Sequence, residues 1–213
     1  MIGCFSGFCT VNQTQVHRLP NSLSRAPLKR LFFKTQCNQQ KVRRQILSRK
    51  FYMSNTEELK EENVWDYPRP PKLEKTKQRL RVIHRGKVIA DTQDGYRILE
   101  TSHPPTYYFP PESVNRSLFK ESNLKTFCEF KGTAIYYDIH VEDSVVKNGA
   151  WCYPETRGLY KPISGYLSFY GSKFDEAYVG NEKIIPQEGD FYGGWITKNL
   201  KGPFKGAPGT RFW

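Results

Sequence analysis

Between residues 79 and 185, short stretches of alternating apolar and polar residues are separated by glycine-containing turns, and this pattern constrains the fold most strongly. The stretch "RLRVIHRGKVIADT" predicts a hairpin that turns at Gly86, and "KTFCEFKGTAIYYDIHV" predicts a second that turns at Gly132. "EAYVGNEKI" predicts a third, with its turn at Gly180-Asn181. Further strands are predicted for "YRILET", "GAWCYPE" and "GYLSFY". Short strands joined by hairpins predict a mainly β domain of antiparallel sheets over residues 79–185.

The β domain has one predicted helix and one strand whose two faces can be assigned. "PPESVNRSLF" favours a short helix, because Pro111 suits a first turn and Val114 and Leu118 fall on one face. On the strand after Gly132, side chains alternate between two faces. One face carries Ile135, Tyr137, Ile139 and Val141, and the other carries Ala134, Tyr136, Asp138 and His140.

The basic charge of the chain is concentrated in residues 1–52, called the leader below. The leader contains ten of the 33 Lys and Arg residues and none of the 21 Asp and Glu residues, so it supplies most of the net charge of +12. An acid-free, arginine-bearing amino terminus is typical of organelle transit peptides. Phe5 in "MIGCFSGF" resembles plastid transit peptides of red-algal type, whereas "SRKFYMS" resembles a mitochondrial processing site. We expect a disordered leader that directs import into the plastid, with the mitochondrion as the alternative; initiation at Met53 is a third interpretation.

The remaining body, residues 53–213, is close to neutral, with a net charge of +2. This charge offers few counterions to release, so no nucleic-acid partner is expected. No stretch approaches the ~20 apolar residues that cross a bilayer, so no membrane partner is expected. With 25 aromatic residues among its 161, the body has enough apolar side chains for a sizeable single core. The sequence does not determine the oligomeric state.

The cysteines and histidines of the body do not form a metal-binding pattern. Cys128 and Cys152 have no C-x-x-C spacing, and three scattered histidines do not complete the four paired ligands of a structural zinc site. We therefore expect no metal and no cofactor. Free thiols on strands are favoured for the two cysteines, and a disulfide between them stays open.

Two segments flank the β domain. A charged connector, residues 53–62, is expected to be flexible. It leads into a proline-rich arm, residues 63–78, which should lie extended and be anchored by Trp65 and Tyr67. The tail, residues 186–213, has six Gly and three Pro interleaved with aromatic residues. It is expected to pack on the β domain, with Phe191, Tyr192 and Trp195 beside residues 103–109 and with Phe204 and Lys205 over the same cleft.

Several motifs, in order along the chain, resemble one known family. They are "VWDYPRPPKLE", "ETSHPPTYYFPPESV", "TFCEFKGTAIYYDI", "GAWCYPE", "SGYLSFY", "FYGGWIT" and "GPFKGAPGT". Over residues 63–213 the chain resembles the domain of unknown function 427 family, in its long form with a proline-rich arm and a glycine-rich tail. The resemblance implies a β-tent, two antiparallel sheets meeting at an angle, similar to the ligand-binding domain of cereblon, Yippee proteins and methionine sulfoxide reductase B. Many β-tent relatives hold zinc between C-x-x-C pairs. Because this chain has no such pair, the resemblance implies a zinc-free variant. It implies little about activity.

The residue types in segment 100–114 and its surroundings suggest three possible chemistries. Nucleophilic catalysis by Cys128, with His103 as base, needs a thiolate, which the adjacent Glu129 carboxylate disfavours. "GPFKGAPGT" could hold an anion through backbone amides and Lys205, but a clasp of tight turns is favoured. An aromatic-walled cleft is the third interpretation, and the superfold adds weight to it by analogy alone.

The leading hypothesis is a cleft that binds a small planar polar ligand, in a binding protein or an undescribed enzyme. Its predicted ligand-binding residues are His103, Tyr107, Tyr108, Glu129, Lys131, Trp151, Tyr153, Trp195 and Lys205. Alternation after Pro104-Pro105 places one of the two adjacent tyrosines in the core and the other at the cleft. No catalytic residue is assigned. The alternative is a non-catalytic scaffold or interaction module that uses the arm and the tail.

Overall fold

The computed structural model describes residues 59–189, 191–210 and 212–213. The predicted leader and residues 53–58 of the predicted connector lie outside the described residues. The described part is mainly β, with short antiparallel strands and no α-helix, and this confirms the predicted fold class.

The strands and the 3₁₀ helices of the described residues are as follows. The strands are β1 (Glu62–Asn63), β2 (Lys72–Lys75), β3 (Leu80–His84), β4 (Lys87–Thr92), β5 (Tyr96–Leu99), β6 (Thr106–Tyr108), β7 (Phe119–Cys128), β8 (Gly132–Val141), β9 (Ser144–Cys152), β10 (Leu167–Phe169), β11 (Glu176–Val179), β12 (Glu182–Lys183), β13 (Ile185–Pro186), β14 (Trp195–Ile196) and β15 (Leu200–Lys201). The 3₁₀ helices are Val64–Asp66, Pro111–Ser113, Arg116–Leu118, Gly158–Ile163 and Gly171–Lys173.

The strands form two large antiparallel sheets and three smaller ones. The large sheets have the orders β12-β11-β3-β4 and β10-β9-β8-β7, and residues of both contribute to one central hydrophobic core. A three-stranded antiparallel sheet has the order β2-β5-β6. The pairs β13-β14 and β1-β15 complete the fold, the latter being parallel. The resemblance implied two sheets, and each of the three additional sheets contains a strand of the arm or of the tail.

The predicted hairpins are present. In the β3–β4 turn, Arg85 and Gly86 both adopt left-handed conformations, with φ of 50° and 70°. A tight turn of this kind matches the twist of the flanking strands, and glycine adopts its positive φ without strain. The β11–β12 hairpin turns at Gly180-Asn181, as predicted, because Val179 pairs with Glu182.

The helix predicted for residues 110–119 is interrupted. It consists of two single 3₁₀ turns, Pro111–Ser113 and Arg116–Leu118. Between them Val114 is extended and bridges to Ala90 of β4, and the amide of Asn115 donates to the carbonyl oxygen of Ile89 at 2.9 Å. Pairing with a neighbouring strand thus overrides the local helix preference.

Two hydrophobic cores lie on opposite faces of β8 and β9. Ile139 and Ala150 face the central core, whereas Tyr136 and Trp151 belong to a second, largely aromatic core. The division agrees with the predicted alternation along β8. The aromatic core also contains Tyr108 of β6, and it forms the base of the site described below.

The arm is extended as predicted, but it is also paired with the domain. β2 forms one edge of the three-stranded sheet beside β5. Val64 and Tyr67 are the buried anchors, while Trp65 is 40% exposed. Glu62, predicted to be part of a flexible connector, lies in β1 and accepts hydrogen bonds from Arg97. The arm is therefore a structural part of the domain.

The tail packs on the β domain through Trp195. Its backbone N–H donates to the carbonyl oxygen of Pro105 at 2.9 Å, and its indole N–H donates to that of Phe169 at 3.0 Å. Its ring lies 5.4 Å from that of Tyr107. The predicted position of Phe204 is wrong, because this ring packs against the small arm cluster that includes Val64 and does not reach the cleft.

Candidate functional site

A cavity of about 210 Å³ lies between the β7–β8 hairpin, β9, residues 98–108 and the start of the tail. Six of the nine predicted ligand-binding residues line it. They are His103, Tyr108, Glu129, Lys131, Trp151 and Tyr153. The adjacent tyrosines are divided as predicted, with Tyr108 at the cavity and Tyr107 in the central core.

The other three predicted residues do not line the cavity. Tyr107 faces the central core, because it alternates with Tyr108 on β6. Trp195 is fully buried in the same core. Lys205 lies beside the cavity, because its ammonium donates to the backbone carbonyl oxygen of Trp213 at 2.6 Å and lies 5.6 Å from the ring centre of Tyr192, a lining residue.

Flat aromatic rings form the walls of the cavity. The rings of Trp151 and Tyr170 lie 4.5 Å apart at 45°, and Tyr136 lines the same wall. A Cβ atom on Gly193 would collide with the Trp151 ring. Glycine at this position therefore allows the tail to close over the wall.

His103 is a buried, neutral imidazole in the cavity wall. Its Nδ1 lies 2.9 Å from the carbonyl oxygen of Thr101, and because a carbonyl only accepts, Nδ1 carries the proton. Nε2 is buried and has no hydrogen-bond partner among the described residues. Burial lowers the pKa of His103, with smaller contributions from Lys205 and Arg69, although the Thr101 bond and Glu100 act in the opposite direction. Nε2 is therefore a free acceptor at neutral pH.

The lowered pKa of His103 predicts a loss of stability in mild acid. Between roughly pH 7.5 and pH 5.5 the unfolded chain takes up a proton at this histidine, while the folded protein resists protonation, so lower pH favours unfolding. We expect the melting temperature to fall over this range in the wild type and to fall less in His103→Gln. Melting curves recorded at constant ionic strength measure this difference. Parallel pH profiles for the two proteins would contradict the predicted burial of a neutral His103.

Lys131 places a cation at the cavity. The residue is 8% exposed, and its ammonium lies 5.7 Å from the ring centre of Tyr153 and 5.9 Å from that of Tyr160. Such cation–π contacts contribute about 0.5–2 kcal/mol each. No carboxylate of the described residues forms an ion pair with Lys131. Glu129, two residues away, is paired with Arg69 instead.

Arg69 of the arm closes the rim of the cavity. One guanidinium nitrogen lies 3.2 Å from a carboxylate oxygen of Glu100 and another lies 2.8 Å from one of Glu129. The guanidinium also lies 5.5 Å from the ring centre of Phe130. Arg69 and Glu129 are exposed, so the pair itself adds little stability. Because of these contacts, the carboxylates of Glu100 and Glu129 both have Arg69 as a cationic partner.

The remaining polar groups of the wall are neutral. Burial raises the pKa values of Tyr108, Tyr153 and Tyr170 far above the ordinary value, so all three are phenols at neutral pH. Cys128 lines the cavity, and neither it nor Cys152 is part of a disulfide. Hydroxyl groups that donate and accept suit the polar edge of a planar ligand.

Some site residues were missed by the sequence analysis. Tyr136 shares a strand face with Ala134 and stands directly opposite Trp151, so the alternation on β8 could have identified it. Tyr170 follows β10, and Arg69 lies in the arm. No local pattern marks these two, because long-range packing brings them to the cavity.

The glycine-rich segment 202–210 forms a clasp. The amide of Lys205 donates to the Ser102 carbonyl oxygen at 2.8 Å, that of Gly206 to the Thr210 hydroxyl at 2.8 Å, and that of Thr210 to the Ala207 carbonyl oxygen at 3.1 Å. These amides are therefore not free to bind an anion, which supports the structural interpretation. A second cavity, about 480 Å³, lies beside this segment, and none of its described lining residues is charged.

No group of three or more His, Cys, Asp or Glu side chains among the described residues is arranged to hold a metal ion. None of the helices found there is long and apolar enough to cross a membrane.

Fold and site together define a mainly β protein with an aromatic-walled cavity closed by its own tail. A family model, Domain of unknown function (DUF427), matches residues 72–180, just over half of the 213-residue chain. The chain belongs to this family. The match does not extend over the first part of the arm or over the tail, so the resemblance to a long form stays a prediction. The chain has no match among curated proteins.

Proposed function

We propose that this protein binds a small planar polar ligand in the cavity between β7, β8, β9 and the tail. The observation that carries the proposal is an aromatic-walled cavity whose wall contains a neutral His103 with an unpartnered Nε2. Ligand sites are typically concave, lined by apolar and aromatic groups, and equipped with a few polar groups that orient the ligand.

The size of the cavity suits a ligand with a single ring. An apolar cavity of about 150 Å³ accommodates benzene, and this cavity measures about 210 Å³. A single ring with polar substituents therefore fits better than a large metabolite. Organelle import, with the plastid preferred, remains part of the proposal because of the composition of the leader.

A panel of planar heterocycles and aromatic acids tests the proposal by thermal shift. We expect at least one compound to raise the melting temperature, because a ligand that binds only the folded state stabilises it. Cys128→Phe places a ring in the cavity and is expected to abolish the response. Thr133→Phe is the matched control, since Thr133 is exposed on the same hairpin and does not line the cavity; it should respond like the wild type.

Two outcomes would contradict ligand binding at this site. One is a response that survives in Cys128→Phe. The other is the absence of any stabilising compound in a broad panel, which would favour the alternative of a non-catalytic interaction module.

A further inference from the structure

Two polar groups of the cavity wall have no polar partner among the described residues. These are the ammonium of Lys131, which contacts only tyrosine faces, and Nε2 of His103. Both residues are more than nine-tenths buried. Nε2 of His103 is a buried atom, and buried polar groups are nearly always paired in native proteins. A ligand that enters this cavity should satisfy it and could also compensate the charge of Lys131.

Lys131 favours a negatively charged group. Its side chain is mostly buried, and a cation shielded from much of the solvent gains most from an anion that compensates its charge. The nearby carboxylates of Glu100 and Glu129 are already bound to Arg69. The lining tyrosines are neutral phenols and supply no negative charge. The wall therefore offers no free negative charge to Lys131, and a negatively charged oxygen of the ligand would supply it.

His103 favours a hydrogen-bond donor. Because its Nδ1 proton is directed to the Thr101 carbonyl, Nε2 carries a lone pair and can only accept. A carboxylate or ether oxygen placed there would meet this lone pair unfavourably. An N–H or O–H group on the ring would form a hydrogen bond.

From these contacts we infer that the cavity selects a planar ring that bears both a carboxylate-type anion, for Lys131, and an N–H or O–H donor, for His103. This inference rests on the proposed function, and it adds the charge and the donor pattern of the ligand. Charge-assisted hydrogen bonds are about twice as strong as neutral ones, so Lys131 supplies more of the selectivity.

Benzoate and benzamide, which are matched in shape and differ in charge, test the anion. In calorimetric titrations of the full chain we expect benzoate to bind at least about tenfold more tightly than benzamide. Lys131→Met should remove this preference and Lys131→Arg should retain part of it. Lys125→Met, which changes an exposed lysine on β7, is the control and should keep the preference. The melting temperature of Lys131→Met is recorded beside these titrations, because the substitution removes the two cation–π contacts with Tyr153 and Tyr160.

The three monohydroxybenzoates test the donor. We expect the best isomer to bind at least about fivefold more tightly than benzoate, and His103→Phe to remove this gain while keeping the preference for benzoate over benzamide. Equal binding of benzoate and benzamide would overturn the anion inference while leaving the proposed function intact. The inference that His103 accepts a hydrogen bond from the ligand would be overturned by either of two results. One is that no monohydroxybenzoate binds more tightly than benzoate, and the other is that the tighter binding survives in His103→Phe. If neither benzoate nor benzamide binds at millimolar concentration, both the inference and the proposed function are contradicted.

Discussion

Trp195→Ala is expected to lower the free energy of unfolding by about 3–5 kcal/mol, the range for truncation of a buried tryptophan. Trp195 is fully buried and packs against Tyr107 and Phe109, with ring centres 5.4 and 5.9 Å away. The substitution also leaves the carbonyl oxygen of Phe169 without its donor, which adds a desolvation cost. A typical domain is stable by 5–15 kcal/mol, so this variant should be close to unfolding. Urea denaturation measures the change.

Phe191→Ala is the matched control for Trp195→Ala. Phe191 lies in the same tail and is 68% exposed, so we expect a loss below about 0.5 kcal/mol. A Trp195→Ala variant that loses less than about 1 kcal/mol would show that the tail contributes little to the core. It would also remove the support for a cavity closed by the tail.

Arg97→Met is expected to lower the free energy of unfolding by about 2 kcal/mol, because it leaves the partly buried Glu62 carboxylate without its cation and leaves Glu74 with Lys72 alone. The Arg97 side chain is 15% exposed, and its guanidinium donates to Glu62 at 2.9 Å and to Glu74 at 2.8 Å. Glu62 also accepts from the Tyr67 hydroxyl. The substitution therefore breaks the network that joins the arm to β5. Chemical denaturation at neutral pH provides the measurement.

The pH dependence of stability provides a second test of the Arg97 network. Burial raises the pKa of Glu74, but hydrogen bonds from Lys72 and Arg97 outweigh it and keep the pKa below its usual value. This stabilisation is present above the ordinary glutamate pKa of about 4.3 and is lost as the pH falls below it. The difference between wild type and Arg97→Met should therefore shrink in acid. Lys75→Met, which breaks the exposed pair with Asp94, is the control and should have no measurable effect. Equal effects of the two substitutions would refute the network as a stabilising feature.

Much of the site could be predicted from sequence because it lies on regularly alternating strands. The alternation on β8 and β9 brings Trp151 to the same face as Tyr136, and the proline pair after His103 directs Tyr108 to the cavity. Trp195 was misassigned, because an aromatic residue beside glycines suits a core position as well as a cavity wall. Lys205 was misassigned for a related reason: its chemistry suits a ligand, but the turn around it points the ammonium to Trp213.

The sequence by itself determined the mainly β class, the positions of the hairpin turns and the faces of the strands. These features depend on local φ preferences and on a two-residue period, both of which can be seen in a single segment. Only the tertiary structure decided that Arg69 holds the two rim carboxylates and that Lys131 is buried against tyrosine rings. It also decided that the extended Val114 bridges to β4 and interrupts the predicted helix. These contacts join residues far apart in sequence, and their stability depends on burial and on the local dielectric, which no segment specifies alone.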